Sequence, residues 1–329
     1  MSDSTLTSSA TSRLSLRDRF LLDARWYRQR GAALSALTFA VIFVVLAIAL
    51  PGSFLTGRNF GNLLGQLPPL FIAGIGQTLV LLGGGFDLSV GSVISLTSAI
   101  LALPLHWSAT VPMALGAAIA VGLVNGWGIV KIGVHPIIMT LATSSIVQGI
   151  ALTLLPVPGG IAPAPLVAMV RGDVLGLPLG ALWVLVIGAL AIGLTHGTGF
   201  GRALYAVGAN PAAARLSGLP EARIRISTYV ISASSAAVAG MYLTARLASS
   251  DPNVGSALGL DSVLAAALGG TLLSGGIGGP IGTVFGVGII GLLNNGMNLA
   301  GISPFYQHIV KGTMLIVSVS LFRRKEVGL

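Results

Sequence analysis

Long apolar runs separated by short polar or glycine- and proline-rich punctuation set the pattern of this chain. They fall at about 32–50, 63–82, 88–103, 111–130, 136–155, 179–195, 226–247, 258–274, 281–300 and 305–322. A helix needs roughly 20 mostly apolar residues to cross a hydrocarbon core of about 30 Å. The pattern therefore predicts an all-α integral membrane protein with about ten transmembrane helices, although the run before Pro104 is short enough to be irregular. Residues 1–31 read as a basic cytoplasmic tail, 32–322 as the transmembrane domain and 323–329 as a second cytoplasmic tail. A cleavable signal fits the first tail less well. The charged region is long and 32–50 is long enough to span, even though Ala47-Ile48-Ala49 imitates a cleavage site.

Composition narrows the class. Of 329 residues, 54% are hydrophobic and 8% charged, and a mean hydropathy of +0.92 leaves no room for a large soluble domain. There is no cysteine, and His106, His135, His196 and His308 lie far apart, so neither disulfides nor a metal site is expected. A net charge of +9 reads here as cytoplasmic loops held at an anionic leaflet rather than as nucleic-acid binding. When the ten runs alternate from a cytoplasmic N-terminus, fourteen of the 18 lysines and arginines fall inside. Arg58 and Arg171 fall outside, and Arg246 and Lys311 lie near or within helices. Both termini of this multi-pass membrane protein are expected in the cytoplasm.

Self-similarity appears in order along the chain. Asp87-Leu88-Ser89 is echoed by Asp261-Ser262, Gly122-Leu123-Val124-Asn125-Gly126 by Gly291 to Gly296, and Ile132-Gly133-Val134-His135-Pro136 by Ala300-Gly301-Ile302-Ser303-Pro304. Two four-helix units, 63–155 and 226–322, are offset by five helices. The second would enter from the opposite face, an inverted repeat of the kind whose interface commonly carries solute. Chance matches between short apolar words are the alternative. Gly278, Gly282 and Gly286, and Gly122 with Gly126, have the four-residue spacing that lets helix backbones approach closely.

The oddest stretch is Gly83-Gly84-Gly85-Phe86-Asp87-Leu88-Ser89-Val90-Gly91-Ser92. An aspartate mid-membrane costs roughly 2.5–3.5 kcal/mol on insertion scales. One reading is a broken helix facing a polar path. The other is a turn at the membrane surface in which Asp87, helped by Ser89, caps a helix starting at Leu88.

Residues 196–225 form a long inner loop containing a short capped helix. Asn210 is its N-cap, Pro211 its first position, and Gly218 with Pro220 its end. Docking of a cytoplasmic partner and anchoring on the lipid surface are the two readings. The proline-rich outer loop 156–178 suits either an extracytoplasmic partner or a stiff connector.

Several of these words occur together in one family. Gly85–Ser92, the segment Gly208–Gly218, Leu268–Gly276, and Leu293–Leu299 ahead of Lys311 resemble the ribose-type sugar permeases. These are membrane subunits of bacterial ATP-binding-cassette importers, related to branched-chain amino acid permeases. The resemblance runs from about Leu50 to Phe322. It implies a vitamin B12-importer-like (type II) permease fold, paired as a homodimer or with a sister permease. It also implies a cytoplasmic ATPase subunit, a periplasmic sugar-binding protein and surrounding membrane lipid as partners. By the same carry-over, Asn210, Pro211, Arg215, Leu216 and Gly218 belong to the coupling helix seated on the ATPase. Family members often carry an acid where this chain has Pro211, and isoleucine where it has Phe86.

The chain has no Gly-x-x-x-x-Gly-Lys-[Ser/Thr] loop, so ATP is expected on the partner and no cofactor on this subunit. No constellation of residues suggests an enzyme. Alternating access to a monosaccharide calls for hydroxyl and amide contacts, for which Ser89, Asn125, Asn294 and Asn295 are candidates. Asp87 and Asp261 either cap helices and hold the repeat together or contact the sugar. The rival class is a secondary transporter with Asp87 or Asp261 as its ion site, and a passive channel is the third.

Overall fold

The computed structural model describes residues 16–174 and 177–321, so the tail residues 1–15 and 323–329 lie outside the described part. Helix α1 (Leu16–Ala49) carries the first apolar run and reaches back through the basic stretch, and a single turn, α2 (Pro51–Phe54), follows. The first unit comprises α3 (Gly57–Leu82), α4 (Val90–Leu101), α5 (Trp107–Trp127, continued by a π-helical turn Gly128–Ile132) and α6 (Pro136–Leu154). A connector follows: α7 (Ala164–Val170), a two-stranded ladder of β1 (Asp173–Val174) and β2 (Leu177–Pro178), α8 (Leu179–Ile192), α9 (Gly199–Ala209) and α10 (Pro211–Leu216). The second unit comprises α11 (Glu221–Leu247), α12 (Ser256–Leu268), α13 (Pro280–Leu299) and α14 (Pro304–Leu321).

Each apolar run carries a helix, and among the described residues seven helices are long and apolar enough to cross a membrane. Of the other three runs, α14 has the length of a span, at 18 residues, without being apolar enough to count as one, and two fall short in length. With 12 and 13 residues, α4 and α12 are only about 18–20 Å long, less than a hydrocarbon core. The missing length is irregular backbone: 83–89 before α4, 248–255 before α12 and 269–279 after it. Unpaired backbone at membrane depth is tolerated where protein buries it, and every residue of α4 is buried.

The two units are built alike and packed reciprocally. In each, the long first helix is followed by a break, a half-length helix and two further helices. The last two are joined by the same turn: Gly133 and Gly301 have φ of +83° and +69°, and Pro136 and Pro304 open the next helix. Only glycine takes such a φ without strain, and proline suits the first helical position. The first helices α3 and α11 pack together, and each also packs against the half-helix and the third helix of the other unit.

Small residues make this possible. A Cβ on Gly122 would sit 2.6 Å from the Val230 Cα, and one on Gly126 would sit 2.9 Å from the Ile226 Cα, so α5 and α11 touch backbone to backbone. Gly282 and Gly286 press likewise on Gly269 and Ala265 of α12. Gly278 does not share this role, because it lies in the loop before α13 with φ of +123°.

Candidate translocation and coupling sites

The break at 83–89 is a turn in which Gly83, Gly85, Asp87 and Ser89 are buried and Gly84 is exposed. Asp87 is fully buried. Its Oδ1 accepts from the Ser89 N–H at 2.9 Å and the Ser89 hydroxyl at 2.6 Å. Its Oδ2 accepts from the Ser232 hydroxyl of α11 at 2.9 Å. The helix starts at Val90, not Leu88. Asn125 of α5 donates to the Ser89 hydroxyl at 2.9 Å, and Thr140 of α6 accepts from the Leu88 N–H at 3.1 Å. Asp87 and the Phe86 N–H, which donates to the Tyr229 hydroxyl of α11 at 3.3 Å, thus tie the break to the second unit, while Leu88 and Ser89 tie it to the rest of the first.

The second break, 248–255, has the same chemistry in a place that the sequence alone does not point to. Asp251 Oδ1 accepts from the Asn253 N–H at 2.8 Å, the same two-residue turn that Asp87 makes with Ser89. Asp251, not Asp261, is therefore the counterpart of Asp87. Asp261 lies inside α12 rather than capping it, and its Oδ2 accepts from the Lys311 ammonium of α14 at 2.7 Å. The matching Asp-Ser words mislead because both follow apolar runs, whereas the breaks sit at different distances from them.

Helix α4 links the two breaks through serines at three-residue spacing. Ser89 stands at its start, Ser92 donates to the Ser89 carbonyl at 2.9 Å, Ser95 accepts from the Gly255 N–H at 3.1 Å and Ser98 accepts from the Asp251 N–H at 3.0 Å. That spacing is the signal in the sequence that could have found them. On α6, Gln148 donates to the Pro252 carbonyl at 2.8 Å, also holding the second break.

The asparagines divide. Asn295 forms a reciprocal amide pair with Asn59 of α3, at 2.7 and 3.0 Å, which fastens α13 to α3. Asn125 and Asn294 each keep a buried side-chain oxygen without a protein partner, as does the whole amide of Gln77, which sequence reading misses. Such groups are the exception in folded proteins.

Each break is held by a different loop. Helix α9 packs on the end of α3: Leu204 clusters with Leu79 and Leu82, and a Cβ on Gly208 would clash with the Leu82 carbonyl, which accepts from the Gly276 N–H at 3.0 Å. Tyr205 donates to the Gly278 carbonyl at 3.0 Å. The loop after α6 reaches the other break, where Gly159 and Ser250 exchange backbone hydrogen bonds, and its Arg171 guanidinium donates at 2.7 Å to the Arg246 carbonyl in the last turn of α11.

Helix α10 has the expected ends. Asn210 Oδ1 accepts from the Ala213 N–H at 3.0 Å, Pro211 opens the helix, and Gly218 at φ of +77° turns the chain away. Leu216 is 90% exposed. Arg215 is paired within the chain while its side chain stays 74% exposed: its guanidinium donates to Glu221 Oε2 at 2.5 and 3.1 Å, and Arg225 reaches Oε1 at 3.4 Å. Glu221 is not among the residues expected here from sequence.

Residues 59–319 match the family described as branched-chain amino acid transport system / permease component. The ribose import permease RbsC of Bacillus subtilis is 39% identical over 296 residues, covering 87% of this chain and 91% of the relative. The ribose import permease RbsC of Escherichia coli K12 is 35% identical, covering 88% and 94%. The probable ABC transporter permease YphD of the same organism is 34% identical, covering 86% of each. No solved structure matches. The chain belongs to the branched-chain amino acid transport system permease-component family, alongside the ribose import permeases.

Proposed function

We propose that this chain is the membrane-spanning permease subunit of an ATP-binding-cassette importer and forms the path for a monosaccharide. The observation that carries this reading is its likeness to import permeases along nearly the whole of both chains. The subunit pairs with a second copy or a sister permease, with cytoplasmic ATPases and with a periplasmic sugar-binding protein. It crosses the inner membrane ten times with both ends cytoplasmic, in a type II fold of two inverted units. The reciprocal packing of α3–α6 with α11–α14 supports that topology.

In this reading α10 is the coupling helix, with Asn210, Pro211 and Gly218 fixing its shape and Leu216 presented to the ATPase. Arg215 acts through Glu221, holding α10 against the start of α11. ATP binding on the partner moves α10 and, through α9, the end of α3 and the two loops beside it, 83–89 and 269–279. Asp87 and Ser89 keep the first break in shape as it moves, and Asn295 keeps α13 on α3. Asn125 and Asn294, with unpaired oxygens, are the better candidates to meet water or sugar hydroxyls. The subunit is a conduit and not an enzyme, and ATP stays on its partner. An ion-coupled mechanism has no comparable support, since Asp261 is paired with Lys311 and the relatives are import permeases.

The test is gentle purification, identification of what co-purifies, and ribose uptake into proteoliposomes. A cassette ATPase is expected, with ATP-driven uptake that falls at least tenfold in Leu216→Glu at unchanged thermal stability. A chain that came out alone and moved solute on an ion gradient would overturn the reading.

A further inference from the structure

A cleft of about 520 Å³ opens between the π-helical end of α5 and the start of α11. That volume is within the range of about 300–1,000 Å³ usual for small-molecule sites. Its walls carry Lys131, Arg215, Arg223 and Arg225 against one carboxylate, Glu221. Glu221 is already shared by Arg215 and Arg225, and among the described residues Lys131 and Arg223 have no acidic partner. The Arg225 Nε is buried with no acceptor. A concave site with surplus cations and an unused N–H is built for an anion with several oxygens.

Its surroundings decide between sources of that anion. On α5, Trp127 stands one turn before Lys131 and is exposed, as are Leu123, Val124 and Ile132. An exposed tryptophan at the end of an apolar face marks the headgroup level of a membrane, so that face leads acyl chains to the rim of the cleft. We propose that the cleft binds the phosphate of an anionic phospholipid, whose tails lie along the exposed face of α5. Basic pockets between helices recognise headgroups in this way. The inference goes beyond the import reading and does not depend on the solute.

The test titrates the detergent-purified chain with phosphatidylglycerol, phosphatidylcholine or inorganic phosphate and follows the unfolding midpoint. Phosphatidylglycerol is expected to raise it and the other two to leave it unmoved. Lys131→Gln with Arg223→Gln should raise the phosphatidylglycerol concentration needed for the shift about 25-fold, a factor of about five for each cation, while Arg58→Gln should not. An equal response to phosphatidylcholine, an equal response of the double variant, or full stabilisation by inorganic phosphate would each overturn the proposal. Native mass spectrometry of the unaltered chain is a second check, in which retained phosphatidylglycerol supports the site and indifferent lipid retention counts against it.

Discussion

At the scale of single residues, Asp87 has the most to lose. Three donors converge on its two oxygens in a fully buried site. Removing a buried acceptor leaves its donors unsatisfied, at about 1–3 kcal/mol for each group. Asp87→Ala should therefore lower the unfolding midpoint in detergent far more than Ser232→Ala, which removes one donor and leaves the Ser89 turn in place. Equal effects would mean that the carboxylate does not organise the break. Asp87 is legible in the sequence because a lone acid between apolar runs is conspicuous. Ser232 is not, since a serine within a helix rich in small residues carries no signal until another helix brings it a partner.

At the scale of elements, the helices are legible and their interruptions only in part. Apolar length identifies a helix on every run, and the Gly-x-x-Pro turns at Gly133–Pro136 and Gly301–Pro304 carry the repeat correctly. Apolar runs do not show where α12 stops, because Leu272 and Leu273 continue its run into the loop 269–279, whereas the glycines and Asp87 mark the break before α4 openly. The same blindness pairs Asp261 with Asp87. The ion pair that Asp261 makes with Lys311 joins α12 to α14, and an unpaired charge within a bundle is far more costly than a pair or none. Asp261→Leu or Lys311→Met alone should each cost about 3–5 kcal/mol of stability, and the two together should recover most of it. A double variant no more stable than its parents, in the same thermal assay, would show that the two charges do not act on each other.

At the scale of the whole molecule, the two breaks lie at opposite ends of α4, and a different loop grips each. Helix α9 holds 83–89 and 269–279 by way of Leu82, while the loop after α6 holds 248–255 through Gly159 and Ala162. Contact at α10 therefore reaches the first break by way of α9, and the second only at a distance, through the serines of α4 or along α11, whose start Arg215 holds and whose end leads into it. Gly208→Ala separates the two paths, since its methyl would clash with the Leu82 carbonyl and lift α9 from α3. Amide exchange should then quicken at 83–89 and 269–279, where local opening becomes easier, and stay unchanged at 248–255. Faster exchange at all three segments would mean that the breaks open as one unit, and motion at α10 would then be felt on both sides of the bundle at once.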